Sequence, residues 1–430
     1  MKSINLVLYM NKKSVSNIYK TLGPGILFAS TAIGVSHLVQ STKAGALFGF
    51  GLLWAVITAN VLKYPFFEFG SRYANATGKS IIDGYLKLGK WALWCYLLIT
   101  LGSMFFVCAA VGKVTAGFMQ NLFHLNEFGF DNISSVILIF SICGSILVIG
   151  KFKALDSIIK VVGIVLLVST LLAFIICLFN GPVYPENLVL DTIKMKPEAL
   201  VFLIPLMGWM PTAVDLSTWN SLWTIEKIKS SGYHPKLNET LLDFNIGYII
   251  SALLSVCFLT LGAFLLYGSD HTIATQSDLF ANDIVNLYTN IFGSWSFLLI
   301  GACTFSIMFG TCIAVFDGYG RALKKISELI FLRGRKINER KLYSYTIVTL
   351  IIGTYFIVWK FENNNDFSVL INVATIISFI VAPVIAIFNF ILVKKHLNEG
   401  YRPSSWLNIL AILGIIYLTS FSVYYIFIIL

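Results

Sequence analysis

Few residues in this chain have the chemistry to act on a small solute, and they fall in two short stretches. The first is Ile33-Gly34-Val35-Ser36-His37, an imidazole beside a hydroxyl, placed after a glycine that can free the Ile33 carbonyl. The second is Met207-Gly208-Trp209-Met210-Pro211-Thr212, with two thioethers, a hydroxyl and a proline that deletes one helical amide. Asp215 follows one turn later, and Lys113 stands alone in an apolar run. Imidazole, thioether, hydroxyl and free carbonyl are ligands for a borderline metal cation, with Met210 and His37 the leading donors. Free amides together with His37 and Lys113 would instead cradle an anion. Nucleophilic catalysis fits poorly. Ser36 and His37 are neighbours and so face different directions on a helix; the five histidines (His37, His124, His234, His271, His396) are dispersed; neither HExxH nor GxSxG occurs.

The element that must position these groups is a membrane helix. Of the 430 residues 57% are hydrophobic, 15% aromatic and only 12% charged, too few charges to cover a soluble surface. Apolar windows long enough to cross roughly 30 Å of hydrocarbon recur at about 22–40, 46–75, 92–119, 133–150, 157–180, 199–222, 242–267, 288–320, 343–359, 367–393 and 406–429. The seven cysteines are scattered through these windows without a CxxC pair and read as packing residues. Net charge is +10, yet 26 of the 31 lysines and arginines sit in the tail and in every second connection, five of them around 63–90 and eight in 321–341. That placement is a topology signal rather than a nucleic-acid surface. It puts the amino terminus in the cytoplasm and, after eleven crossings, the carboxyl terminus outside, in a plasma (bacterial inner) membrane.

Two of the eleven windows carry helix breakers at mid-depth. The first holds Gly23, Pro24 and Gly25, then Gly34; the sixth holds Pro205, Gly208 and Pro211. Unwound backbone survives inside a bilayer only where protein or a cavity satisfies it, so two breaks imply a binding site between them. The first window enters from inside and the sixth from outside, the pattern of two inverted five-helix repeats. The expected organisation is therefore a cytoplasmic tail 1–21, repeats 22–180 and 199–393, and an additional eleventh helix within 406–430.

Gly23-Pro24-Gly25, the AGALFGFGLLW run at 44–54, Asn60, the ATGK run at 76–79 and Met210-Pro211, on an eleven-helix layout, resemble the NRAMP-type (natural resistance-associated macrophage protein) metal-ion transporters. The resemblance implies an all-α integral membrane protein of LeuT-like fold, with interrupted helices 1 and 6. It also implies proton-linked transport of divalent manganese or iron between those helices. The site motifs depart from the family. An ungapped match places Gly34, Val35, Ser36 and His37 on the family's Asp-Pro-Gly-Asn, so the metal-binding carboxylate is missing; Thr212 stands where the family has histidine, and Met207 where it commonly has alanine. The acidic proton-path residues of the third helix fall near Cys108 and Val111, and the ninth helix has no arginine.

The candidate substrate site is thus Ile33, Gly34, Ser36, His37, Met207, Met210 and Thr212, with Met210 and His37 as metal ligands and Lys113 and Asp215 in coupling or pathway roles. A lysine at mid-membrane costs about 2.5–3.5 kcal/mol unless it snorkels or faces a cavity. None of the ligands carries negative charge, which leaves a bicarbonate-like anion, carried with a coupling cation, as the alternative substrate. Asp317 with Arg321, and Glu68 with Arg72, are spaced for helical ion pairs. A secondary transporter fits better than a channel, which needs a continuous polar pore, or an enzyme. No nucleotide motif, cofactor, nucleic acid or obligate protein partner is indicated; the partners are a small inorganic ion and the lipid bilayer.

Overall fold

The computed structural model describes residues 20–185, 197–269, 274, 276–336, 338–361 and 367–429. Most of the expected tail 1–21, together with Lys194, Lys196 and His271, lies outside them. The described residues are helical with no strand. The elements are α1 (Pro24–Ala32), a π-helical turn (Val35–Ser41), α2 (Thr42–Phe48), α3 (Leu53–Thr77), α4 (Ile81–Leu88), α5 (Lys90–Phe123), α6 (Asn132–Asn180), α7 (Pro197–Trp209), a 3-10 turn (Val214–Leu216), α8 (Ser217–Ser231), α9 (Leu237–Leu266), α10 (Ser277–Phe292), α11 (Phe297–Ile330), α12 (Glu339–Lys360), α13 (Phe367–His396) and α14 (Ser405–Ile429).

Eight stretches among the described residues are long and apolar enough to cross a bilayer. Three more crossings fail that test for visible reasons. The first and sixth are interrupted, and the second, α3, carries Lys63, Glu68 and Arg72. Together they account for the eleven crossings. Helix α6 takes up 49 residues and contains two membrane-length pieces, Asn132–Gly150 and Leu155–Asn180, counted here as the fourth and fifth crossings.

Three expected boundaries move. The first crossing continues through α2 to Phe48, and the second begins only at Leu53, because Gly49 adopts φ +55° and turns the chain. The stretch 288–292 belongs to the short helix α10, which Gly293 (φ +91°) separates from α11.

The first crossing lies along α9, and glycines set the distance. A Cβ on Gly25 would meet the Asp243 carbonyl oxygen at 1.9 Å; one on Gly247 would meet the Gly25 oxygen at 1.9 Å; one on Gly45 would meet the Leu259 oxygen at 2.0 Å. Only glycine permits backbones this close at both ends of one helix pair. On its other sides the crossing meets α11 and α6, while α7 packs on α13 and α3 on α8. The basic connections gather with acidic ones: Lys227 Nζ is 3.0 Å from Asp156, Lys325 Nζ 2.9 Å from Asp83 and Arg321 3.4 Å from Glu226.

Candidate ion site at two helix breaks

Both expected interruptions are present. Helix α1 stops at Ala32, Gly34 takes a non-helical φ/ψ of −89°/−119°, and the chain resumes as the π turn. Glycine is required here for space as well. A Cβ on Gly34 would lie 2.4 Å from Thr311 Oγ1 of α11, whose hydroxyl donates to the Ser30 carbonyl at 2.7 Å. In the sixth crossing α7 ends at Trp209, and residues 210–213 are non-helical before the 3-10 turn. Pro211 lacks the amide that would otherwise serve the Met207 carbonyl four residues back, so the break follows from the sequence.

The two breaks touch. Ser36 Oγ lies 3.1 Å from the Pro211 carbonyl oxygen and also reaches the Ala32 carbonyl. Beside this contact is a cavity of about 20 Å³, lined by Thr31, Val35, Ser36, Thr212, Thr311 and neighbouring apolar side chains. That is room for one water-sized group. Its polar lining consists of neutral hydroxyls.

The candidate residues separate into two groups. Ser36 and Thr212 line the cavity, Ile33, Gly34 and Met210 are buried in the breaks themselves, and Met207 is buried in the last turn of α7. His37 turns towards α9 instead. Its Nε2 is 2.9 Å from the Ser251 carbonyl oxygen and its Nδ1 2.7 Å from Ser36 Oγ, so a metal would reach this ring only after it left those partners. Met207 Sδ accepts from the Tyr417 hydroxyl at 2.7 Å. Lys113 is buried, 5% exposed, inside the helix bundle and not on its surface. Asp215 is 2% exposed at the 3-10 turn, with Tyr319 OH 3.5 Å from Oδ2 and no hydrogen-bond partner at Oδ1.

The structure corrects the reading of Lys63. It does not belong to the cytoplasmic basic cluster around 63–90. It sits in the interior of α3, fully buried, and its ammonium donates to three carbonyls of the sixth crossing: Met207 at 2.6 Å, Gly208 at 2.9 Å and Thr212 at 3.3 Å. Its position near the centre of the 46–75 window was the signal; counting charge by connection concealed it.

Asp243 of α9 was also missed. Its carboxylate accepts from the Gly23 amide at 3.0 Å and the Gly25 amide at 2.8 Å, capping α1 from 220 residues away. The two expected ion pairs form: Arg72 Nε is 2.9 Å from Glu68, and Arg321 Nε is 2.7 Å from Asp317, which also accepts from Trp223 and Tyr343. Among the described residues no three His, Cys, Asp or Glu side chains gather as a metal cluster.

Two broken helices meeting over a buried cavity fit a known family, and its sequence profile, natural resistance-associated macrophage protein-like, matches residues 25–428. The chain belongs to this Nramp-like family. An uncharacterised Pasteurella multocida protein is 33% identical over 424 residues, spanning 98% of this chain and 95% of its own. Among solved structures, a manganese transporter of Eremococcus coleocola superposes with a TM-score of 0.70 at 12% identity, over 95% of this chain and 86% of that one. A sodium-coupled sialic acid symporter superposes with a TM-score of 0.57 at 12% identity, over 92% and 87%. At such identities these likenesses speak for the fold, which is the LeuT-like one. The Nramp-like chain is a multi-pass membrane protein.

Proposed function

We propose that this Nramp-like protein is a secondary active transporter, not an enzyme, that carries a small inorganic ion by alternating access. The observation that carries this reading is the contact between the breaks, Ser36 against Pro211, with the hydroxyl-lined cavity beside it. Two half-helices that end on one cavity let one bundle rock against the other around a fixed site. In this reading 22–180 and 199–393 are the repeats, 406–430 is an added helix, and the chain sits in a bacterial inner membrane with its amino terminus inside.

Family membership and the manganese transporter among its structural neighbours favour a divalent metal, manganese or iron, with proton coupling. Ser36, Thr212, Met210 and the carbonyl of Ile33 at the first break would be its ligands. A membrane potential of about 100 mV, inside negative, would drive a divalent cation inward by roughly 4.6 kcal/mol. A specific observation supports a second substrate class. The side chains that line the cavity are hydroxyl or apolar and include no carboxylate to offset a cation's charge, so a small anion such as bicarbonate, moving with a coupling cation, also suits the site.

Uptake into proteoliposomes of manganese against labelled bicarbonate, under imposed potential and with proton or sodium gradients, tests both. Saturable manganese flux that Met210→Ala abolishes supports the metal reading. Bicarbonate flux without manganese flux transfers the assignment to the anion, and flux of neither refutes this choice of substrates.

A further inference from the structure

Lys63 makes more than a helix-to-helix contact. We propose that the carbonyls of Met207, Gly208 and Thr212 form a monovalent-cation site in the sixth crossing, and that the Lys63 ammonium permanently occupies it as a tethered ion. Pro211 has no amide for the Met207 oxygen, which keeps only a long 3.4 Å bond from Met210 N, and Leu216 N donates to the Ala213 carbonyl and not to Thr212, so the break aims carbonyl oxygens at one point. The ammonium meets them with all three of its donors, at 2.6, 2.9 and 3.3 Å, with its stem buried to 0% exposure.

Converging carbonyl oxygens replace a water shell for an alkali or ammonium ion as they do for a lysine head. Asp215, in the 3-10 turn that follows the same break, supplies one negative charge when ionised, which a single positive charge at this position balances. An ion of single charge and similar size is therefore the chemical class that this position takes. A free divalent cation would bring excess charge and would have to displace a covalently attached competitor. The consequence is that the intact protein has no need of a dissolved monovalent cation at this break.

The test reads stability rather than transport, and ammonium and methylammonium, which neither substrate reading invokes, decide it. The full-length protein, Lys63→Ala and Lys63→Met are purified in detergent, and melting is followed in ammonium, methylammonium, sodium or choline chloride at constant ionic strength. The unsubstituted protein should melt at one temperature in ammonium, methylammonium and choline, and any sodium response it shows is the baseline for the variants. Lys63→Ala should melt lower in choline and recover saturably in ammonium or methylammonium, with sodium effective if the oxygens close far enough. Lys63→Met fills the stem's space and keeps the oxygens without their charge; it should be destabilised in every salt and respond less than Lys63→Ala. The proposal is overturned if folded Lys63→Ala responds to these cations no more than the unsubstituted protein does. It is equally overturned if the unsubstituted protein is itself stabilised by ammonium or methylammonium over choline as strongly as Lys63→Ala is, or if ammonium present throughout purification fails to recover a Lys63→Ala protein that otherwise aggregates.

Discussion

Replacing Asp243 by alanine would release the amino-terminal end of α1, the half-helix that leads into the first break. Two amide-to-carboxylate bonds are lost, at 3.0 and 2.8 Å, and both amides sit where water does not reach, since Asp243 is 3% exposed. Bonds to a charged acceptor contribute about 1.5–3 kcal/mol each, a gross loss of about 3–6. Relief from burying the carboxylate returns part of this, and a net loss of about 3 kcal/mol is expected. With an unfolding entropy of about 2.1 cal/mol/K per residue, such a loss lowers the melting point by about 3 °C for a chain of this size. Asp243→Asn keeps one acceptor oxygen and turns its amide donors towards the second N–H, so it should fall between alanine and the unsubstituted protein. Thermal unfolding in one detergent at fixed ionic strength measures all three. An alanine variant within half a degree of the parent, or an asparagine variant below alanine, would show that the cap does not hold α1.

Other expectations follow from particular contacts. Gly34→Ala should abolish uptake of whichever ion is carried, because its Cβ would lie 2.4 Å from Thr311; Thr311→Gly in the same chain should recover part of it, and a fully active single variant would refute the packing argument. For the same reason Gly34→Asp, which places a carboxylate at the first break, should bind metal by calorimetry only when Thr311 is also made small. Arg72→Ala strands the buried Glu68 charge and should cost about 3–5 kcal/mol, while the double variant Arg72→Met with Glu68→Gln should cost markedly less; equal losses in denaturant titration would contradict the pairing. Asp131, ahead of α6, is held below the usual carboxylate range by the Ser134 hydroxyl and amide. A depressed folded value means that the cap's small contribution is present above about pH 4 and is lost as pH falls through that range. The melting difference between the parent and Asp131→Ala should therefore shrink between about pH 5 and pH 3; a difference independent of pH would refute the assignment.

Both helix breaks were legible in the chain because their causes are local. Proline has no amide wherever it stands, and Gly34 offers a backbone freedom that its neighbours lack. The pairs Glu68 with Arg72 and Asp317 with Arg321 were legible for the same reason, since a spacing of four on a helix fixes proximity before any packing. His37 lies in the π turn beside the first break, but its direction was not legible. A spacing argument locates the ring at the break, yet which helix it faces depends on the roll of α1 against α9, and that is set by glycine contacts such as Gly25 with Gly247.

The sequence by itself determined that this is a polytopic helical membrane protein interrupted at Gly34 and at Pro211, because hydropathy, proline and glycine act through the chain's own covalent structure. Only the tertiary structure decided what stands at those interruptions. Lys63 and Met207 are 144 residues apart, and Asp243 and Gly23 are 220 apart. Nothing along the chain marks such pairs, because a buried charge is seated by the carbonyls and amides that other helices fold against it.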